Sequence, residues 1–145
     1  MDGQHGRTPN RAQLRELASL LAAESWIEGV DVFPSTRPDS IVLSLEQSYY
    51  PRRHISAAYI EIQSYTNGDF HISYVENHHG KEWLCRWDRH ESTEYTRDHF
   101  HPPPDARHED GENREYPAAL WTVVSRVIAP WMYERMGAVW DEFDT

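Results

Sequence analysis

A chain of 145 residues is long enough to bury one core, as a single domain over residues 1–145, without disulfide or metal staples. Its single cysteine, Cys85, excludes an intramolecular disulfide and a cysteine-based zinc cage, and fits a reducing cytoplasm. With 24 acids against 14 bases the formal net charge is -10, an unusual balance for a nucleic-acid-coating protein, and no apolar run has the length of a membrane span or the form of a signal peptide. The chain is therefore expected to be cytoplasmic, with no membrane partner. Lys81 is the only lysine. Many acids with few lysines suggest a protein suited to molar salt, where the screening length is only about 3 Å and self-repulsion costs little. A GC-rich genome would give the same arginine bias without that purpose.

In chain order, residues 1–9 are polar and expected to fray. Thr8-Pro9 reads as a helix N-cap followed by proline at the first helical position, and Leu14, Leu17, Ala18 and Leu21 recur at helical spacing toward an end near Gly29. The period then changes to two. Val30, Val32 and Ile41 to Leu45 are strand-like, and Ile55–Tyr65, Asp69–Glu76 and Lys81–Asp88 follow as three strands of an antiparallel meander.

The turns fix which residues share a face. A two-residue Asn67-Gly68 turn would split Ile60 and Ile62 from Phe70, Ile72 and Tyr74. A three-residue turn, Thr66 to Gly68 with Gly68 left-handed, puts all five on one face, and the buried face decides. A four-residue loop, Asn77 to Gly80, then aligns Trp83, Cys85 and Trp87 with them. The opposite face is polar: Gln63 is expected across from His71, and His71 across from Arg86. A solvated outer face is the usual fate of such a row.

Residues 89–115 read as a long loop, stiffened by three prolines over His99 to Pro104 and mobile over 105–115. Pro117 opens a helix burying Leu120, Val124, Val127 and Ile128; Pro130 ends or kinks it, and Trp131 to Trp140 forms a second. The fold class is α+β: a meander of about four strands, with an N-terminal and two C-terminal helices on its aromatic face. Cys85 and most of the six tryptophans are assigned to that core.

Chemistry, if present, lies between Arg86 and His101. His90, His99 and His101 stand close to Asp88 and Asp98, among Arg86, Arg89, Arg97 and Arg107. Metal-free cleavage of RNA requires a base for the 2′-hydroxyl, an acid for the leaving oxygen and a cation for charge on the phosphate. Histidine suits the first two roles and arginine the third. The same cluster allows a second reading. His99 and His101 alternate on an extended segment and, with His90 and Asp88, offer three or four ligands to zinc, although the spacing matches no standard metal motif. Any one of these histidines alone reads more simply as a hydrogen-bonded surface residue, and His78 and His79 are assigned to a turn.

The segment WLCRWDRHESTEYTRDHFHPPP, residues 83–104, resembles small haloarchaeal proteins carrying RWDRH…RDHFHPPP. That group in turn resembles the TumE-like toxins of toxin–antitoxin pairs, which have a strand ending in Arg-aromatic-Asp followed by a His-x-His segment. Arg86, Trp87 and Asp88 match the strand end, His99 and His101 the His-x-His, and a single His90 stands where the family has a histidine pair. The resemblance implies a small α+β toxin, RNA as substrate and a cognate antitoxin as protein partner. On this reading His99 or His101 is the acid or base, Arg86 holds phosphate charge, Asp88 orients a histidine and His90 assists. His71, Arg89 and Arg97 would bind substrate, with no cofactor and no metal. The alternatives are a non-catalytic protein-interaction module using the polar face, and a histidine-based metal-binding protein.

Overall fold

A computed structural model describes residues 7–143. Helix α1 spans Arg11–Leu21 and buries Leu14, Leu17, Ala18 and Leu21, the apolar stripe expected from their spacing. Its cap lies later than Thr8: the Asn10 side chain accepts the Gln13 N–H at 3.1 Å. Thr8 and Pro9 are instead tied to the sheet, through the Thr66 N–H to Thr8 carbonyl bond and a bridge between Pro9 and Tyr65. Positions 1–6 of the start expected to fray lie outside the described residues.

The helix also stops well before Gly29. That glycine sits inside strand β1, Ile27–Val32, at an irregularity where the pairing with β2 slips between Ile27 and Gly29. A glycine within a strand marks such a bulge, so the residue taken as a helix stop is a strand feature.

The sheet has seven antiparallel strands in sequence order, against the expected four or so. After β1 come β2 (Ser40–Leu45), β3 (Ala57–Ser64), β4 (Phe70–His78), β5 (Lys81–Arg89), β6 (Asp98–His101) and β7 (Glu112–Asn113). The last two lie in the stretch read as a loop. Their polar composition concealed them, yet His99-Phe100-His101 alternates as a strand should: Phe100 packs on Trp87 at 5.3 Å between centroids, while the flanking histidines face the other way. Residues 105–115, expected to be mobile, are tied in by a Leu84–Asp105 bridge and by β7 pairing with β6.

The β3–β4 turn is the three-residue one, with Gly68 at φ +91° and Ile62 opposite Ile72. The β4–β5 turn differs from expectation. His79 and Gly80, at φ +54° and +103°, make a two-residue turn with both central residues left-handed, and the Asn77 side chain accepts the Gly80 N–H. The strands therefore run two residues further, and His71 faces Asp88 while Arg86 faces Ser73. A shift of two keeps every side chain on its expected face.

The helices cover the aromatic face. The C-terminal segment is one helical run rather than two helices: α2 (Leu120–Val123), a π-helical turn (Val124–Ile128) and α3 (Ala129–Glu142). Pro130 lacks an N–H and crowds the preceding turn, and the widened turn accommodates it where a regular helix would break. Trp131 packs edge-on against Tyr74 and Trp87, with Cys85 fully buried beneath. No helix among the described residues is long and apolar enough to cross a membrane.

One ion pair joins helix to sheet. Glu76 is fully buried and accepts two hydrogen bonds of 2.6 Å from Arg135, with further bonds from Tyr74 and His78. Burial would raise its pKa, but these bonds outweigh burial and hold it below the ordinary 4.5. Its stabilising contribution is therefore complete above pH 4.5 and is lost as pH falls through the lowered folded value. Arg135→Ala should lower the unfolding free energy by about 3–5 kcal/mol at neutral pH. Urea denaturation should show that deficit narrowing in acid; a deficit independent of pH would contradict the pairing.

Candidate functional site

Three adjacent strands bring the polar cluster together. In one row His71 on β4 faces Asp88 on β5, which faces His99 on β6; in the next, Ser73 faces Arg86, which faces His101. Antiparallel pairing places facing side chains about 4.5–5.5 Å apart at Cβ, so residues distant in sequence become neighbours. Strand β6 extends the sheet sideways, while Tyr95 of the β5–β6 connection lies over the polar face against His99 and His101. His90, one residue beyond β5, turns back toward the row: its ring centroid is 4.6 Å from that of His99 and 5.2 Å from that of His71.

Asp88 is the centre, with no solvent exposure. Its Oδ1 accepts from His71 Nδ1 at 2.8 Å, and Arg86 Nε donates to Oδ2 at 2.8 Å and to Oδ1 at 3.0 Å. Burial would raise the Asp88 pKa, but the His71 hydrogen bond and the Arg86 charge outweigh it and hold the carboxyl below its ordinary value. Oδ2 also has three imidazole nitrogens around it: His101 Nε2 at 3.4 Å, His99 Nε2 at 3.6 Å and His90 Nε2 at 3.9 Å.

Backbone carbonyls set the tautomers of these three rings. Nδ1 of His90 bonds the Glu91 carbonyl at 2.8 Å, that of His99 the Thr96 carbonyl at 2.9 Å and that of His101 the Arg107 carbonyl at 3.1 Å. A carbonyl only accepts, so each Nδ1 carries the hydrogen and each neutral ring directs an Nε2 lone pair at the cluster. His90 Nε2 and His99 Nε2 lie 3.2 Å apart. Two lone pairs at that distance repel unless a proton or another cation lies between them. Burial pushes the pKa values of His90 and His101 down, against protonation.

Access divides the cluster. His99 and His101 are each 1% exposed, beneath Tyr95, which stacks on His99 and lies edge-on to His101. The side chains of His90 and Arg86 are about a third exposed, at 32% and 36%. Arg86 uses only Nε within the protein, so among the described residues both its terminal nitrogens have no hydrogen-bonding partner.

The other sequence candidates separate. Arg97 lies at the rim, bonding Asp69 at 2.7 Å. Arg89 faces the opposite side of the sheet: it pairs with Asp98 at 2.6 and 3.0 Å and donates to the carbonyls of Tyr116, Pro117 and Ala118. Its guanidinium thus clamps the approach to the C-terminal helix, away from the cluster. His79 lies in the turn as expected and bonds the Arg53 carbonyl, whereas His78 is the last residue of β4, paired with Lys81, and bonds Glu76.

A family model described as Toxin TumE matches residues 17–135, which span the sheet, the cluster and most of the C-terminal helix. The chain belongs to the TumE toxin family. Comparisons with curated proteins and with solved structures found no match. The sequence motif that resembles this family, from Arg86 to His101, is the part of the chain that surrounds Asp88.

Two residues beside the cluster escaped sequence analysis. Arg7 Nη2 lies 2.7 Å from His71 Nε2 across 64 positions of sequence, and nothing local announces that contact. Tyr95 had a faint signal in Gly111: a Cβ there would lie 2.6 Å from the Tyr95 ring, so only glycine admits it. The two rim-and-clamp arginines should respond differently to mutation. Arg89→Ala leaves Asp98 and three carbonyls without their donor and should cost roughly 2–4 kcal/mol in chemical denaturation. Arg97→Ala removes an arginine that is 40% exposed and leaves Asp69 beside Arg7 at 3.4 Å, so it should cost about 1 kcal/mol or less. Equal stabilities for the two variants would refute the division.

Proposed function

We propose that this TumE-family toxin cleaves RNA by metal-independent acid–base catalysis at the Asp88 cluster, and that a cognate antitoxin protein restrains it. The observation that carries this reading is the contact between the His90 and His99 Nε2 atoms at 3.2 Å, beside Arg86, whose terminal nitrogens have no partner among the described residues. Two imidazoles placed to pass a proton between them can supply a base and an acid.

In the reaction, the ribose 2′-oxygen attacks phosphorus while an imidazole takes its proton. The new O2′–P bond gives a 2′,3′-cyclic phosphate, the P–O5′ bond breaks, and an imidazolium returns a proton to the 5′-oxygen. Burial of His99 and His101 favours His90 as the group that touches substrate, with His99 as its proton-sharing partner. Arg86 neutralises charge developing on the phosphate oxygens through its two unpaired nitrogens, and Arg97 holds a neighbouring phosphate. Asp88 orients Arg86 and His71, and His101 lies behind the carboxylate.

Incubation of the purified protein with labelled RNA, with and without EDTA, tests this in high-salt buffer. Cleavage should survive EDTA, leave cyclic phosphate ends and stop when the scissile ribose lacks its 2′-hydroxyl. His90→Ala and Arg86→Ala should each lower the rate at least about 10²-fold. Intact RNA after exposure to folded protein would reject catalysis and favour a protein-interaction module.

A further inference from the structure

The Nε2 atoms of three imidazoles lie within 3.9 Å of one carboxylate oxygen, Asp88 Oδ2, and among the described residues none of them donates a hydrogen bond to it. The Nδ1 atoms of His90, His99 and His101 are all engaged by backbone carbonyls, so none of these neutral rings can donate to Asp88 through Nε2. The contacts of 3.4, 3.6 and 3.9 Å to Asp88 Oδ2 thus bring acceptor against acceptor. We propose that Asp88, His90, His99 and His101 form a binding site for one divalent transition metal of the zinc class.

The distances suit such an ion. Zinc bonds of about 2.0–2.1 Å in tetrahedral array set neighbouring donors about 3.3–3.4 Å apart. The observed separations run from 3.2 Å, between His90 and His99, through 3.4 and 3.6 Å, to 3.9 Å between His90 and Asp88. The donor atoms of Asp88, His99 and His101 all lie within 4.8 Å of one another. These three are buried, while His90 stands at the mouth and closes the coordination by a small movement of its ring.

The surroundings match a metal centre as well. A metal-bound histidine needs its second nitrogen fixed, and here a carbonyl fixes each one. Asp88 is itself held by Arg86 and His71, which leaves a lone pair of Oδ2 directed at the imidazoles. The Arg86 charge opposes a cation nearby, but its terminal nitrogens reach solvent, where that repulsion is screened. Imidazole-rich donors select zinc, copper or nickel over magnesium and calcium.

Metal binding requires no RNA and goes beyond the cleavage reading. Resting on that reading, one consequence follows: a metal at His90 Nε2 takes the lone pair that would accept the 2′-hydroxyl proton, so zinc inhibits cleavage.

Titration of EDTA-treated full-length protein with Co(II) tests the site without reference to activity. One Co(II) per chain should give the intense visible absorption of four-coordinate cobalt, and zinc should displace it. His90→Ala should weaken zinc binding at least tenfold in calorimetry with unchanged circular dichroism, and His101→Ala should abolish it. Since His101 is buried and its variant could unfold, His90→Ala decides in that event. No saturable Co(II) signal, or wild-type affinity in folded His90→Ala, would overturn the proposal. Zinc added to the RNA assay keeps the two readings apart: binding without any cleavage rejects only the ribonuclease, and cleavage without binding rejects only the metal site.

Discussion

Asp88 carries an ionised carboxylate into the sheet with no solvent to stabilise it, and the polar face is organised around that charge. An isolated buried carboxylate would cost several kcal/mol, so its neighbours are obligatory. Arg86 and His71 provide the hydrogen bonds, and Arg7 reaches across from the N-terminal segment to fix the far side of His71. His99 and His101 are added by β6, and without its pairing to β5 neither histidine would reach the carboxylate. A short strand of four residues therefore converts a row on an outer sheet face into a closed cluster.

The two faces of the sheet solve the problem of buried charge differently. On the helix side, Glu76 meets Arg135 in a bidentate pair surrounded by aromatic rings, with every partner fixed by packing. That arrangement joins helix to sheet. On the other side, Asp88 is surrounded by groups whose protonation can change, and two of its neighbours reach solvent. A structural pair favours one charge state; a cluster that shares protons admits several. This difference, with membership of a toxin family, supports the proposal that the chemistry of the chain lies on the polar face.

The sequence made the faces legible better than the register. Alternation from Ile60 to Trp87 assigned each side chain to its correct side, because parity alone decides the face. The two-residue error at the β4–β5 turn preserved parity but changed the cross-strand partners, that of His71 from Arg86 to Asp88. Strand β6 was hidden because its outward-pointing residues are polar and its length is four residues; hydrophobic patterning has little to detect there. The cluster of Arg86, Asp88, His90, His99 and His101 was legible as a local concentration of histidine and arginine. Its geometry was not, since three carbonyls and Arg7 define it and none has a sequence signature. Arg89 illustrates the converse: it lies within the motif, but strand alternation turns it to the other face.

The tautomers of His90, His99 and His101 test this account most directly, because convergence of their Nε2 atoms on Asp88 follows from them. Long-range proton–nitrogen correlation spectra of protein with labelled histidine, recorded above the imidazole pKa values and without added metal, report which nitrogen of each ring carries hydrogen. The account predicts that Nδ1 carries it in all three. Hydrogen on Nε2 of His99 and His101 in the folded protein would contradict it: those rings would then donate directly to Asp88, and neither a shared proton nor a metal would be needed between them.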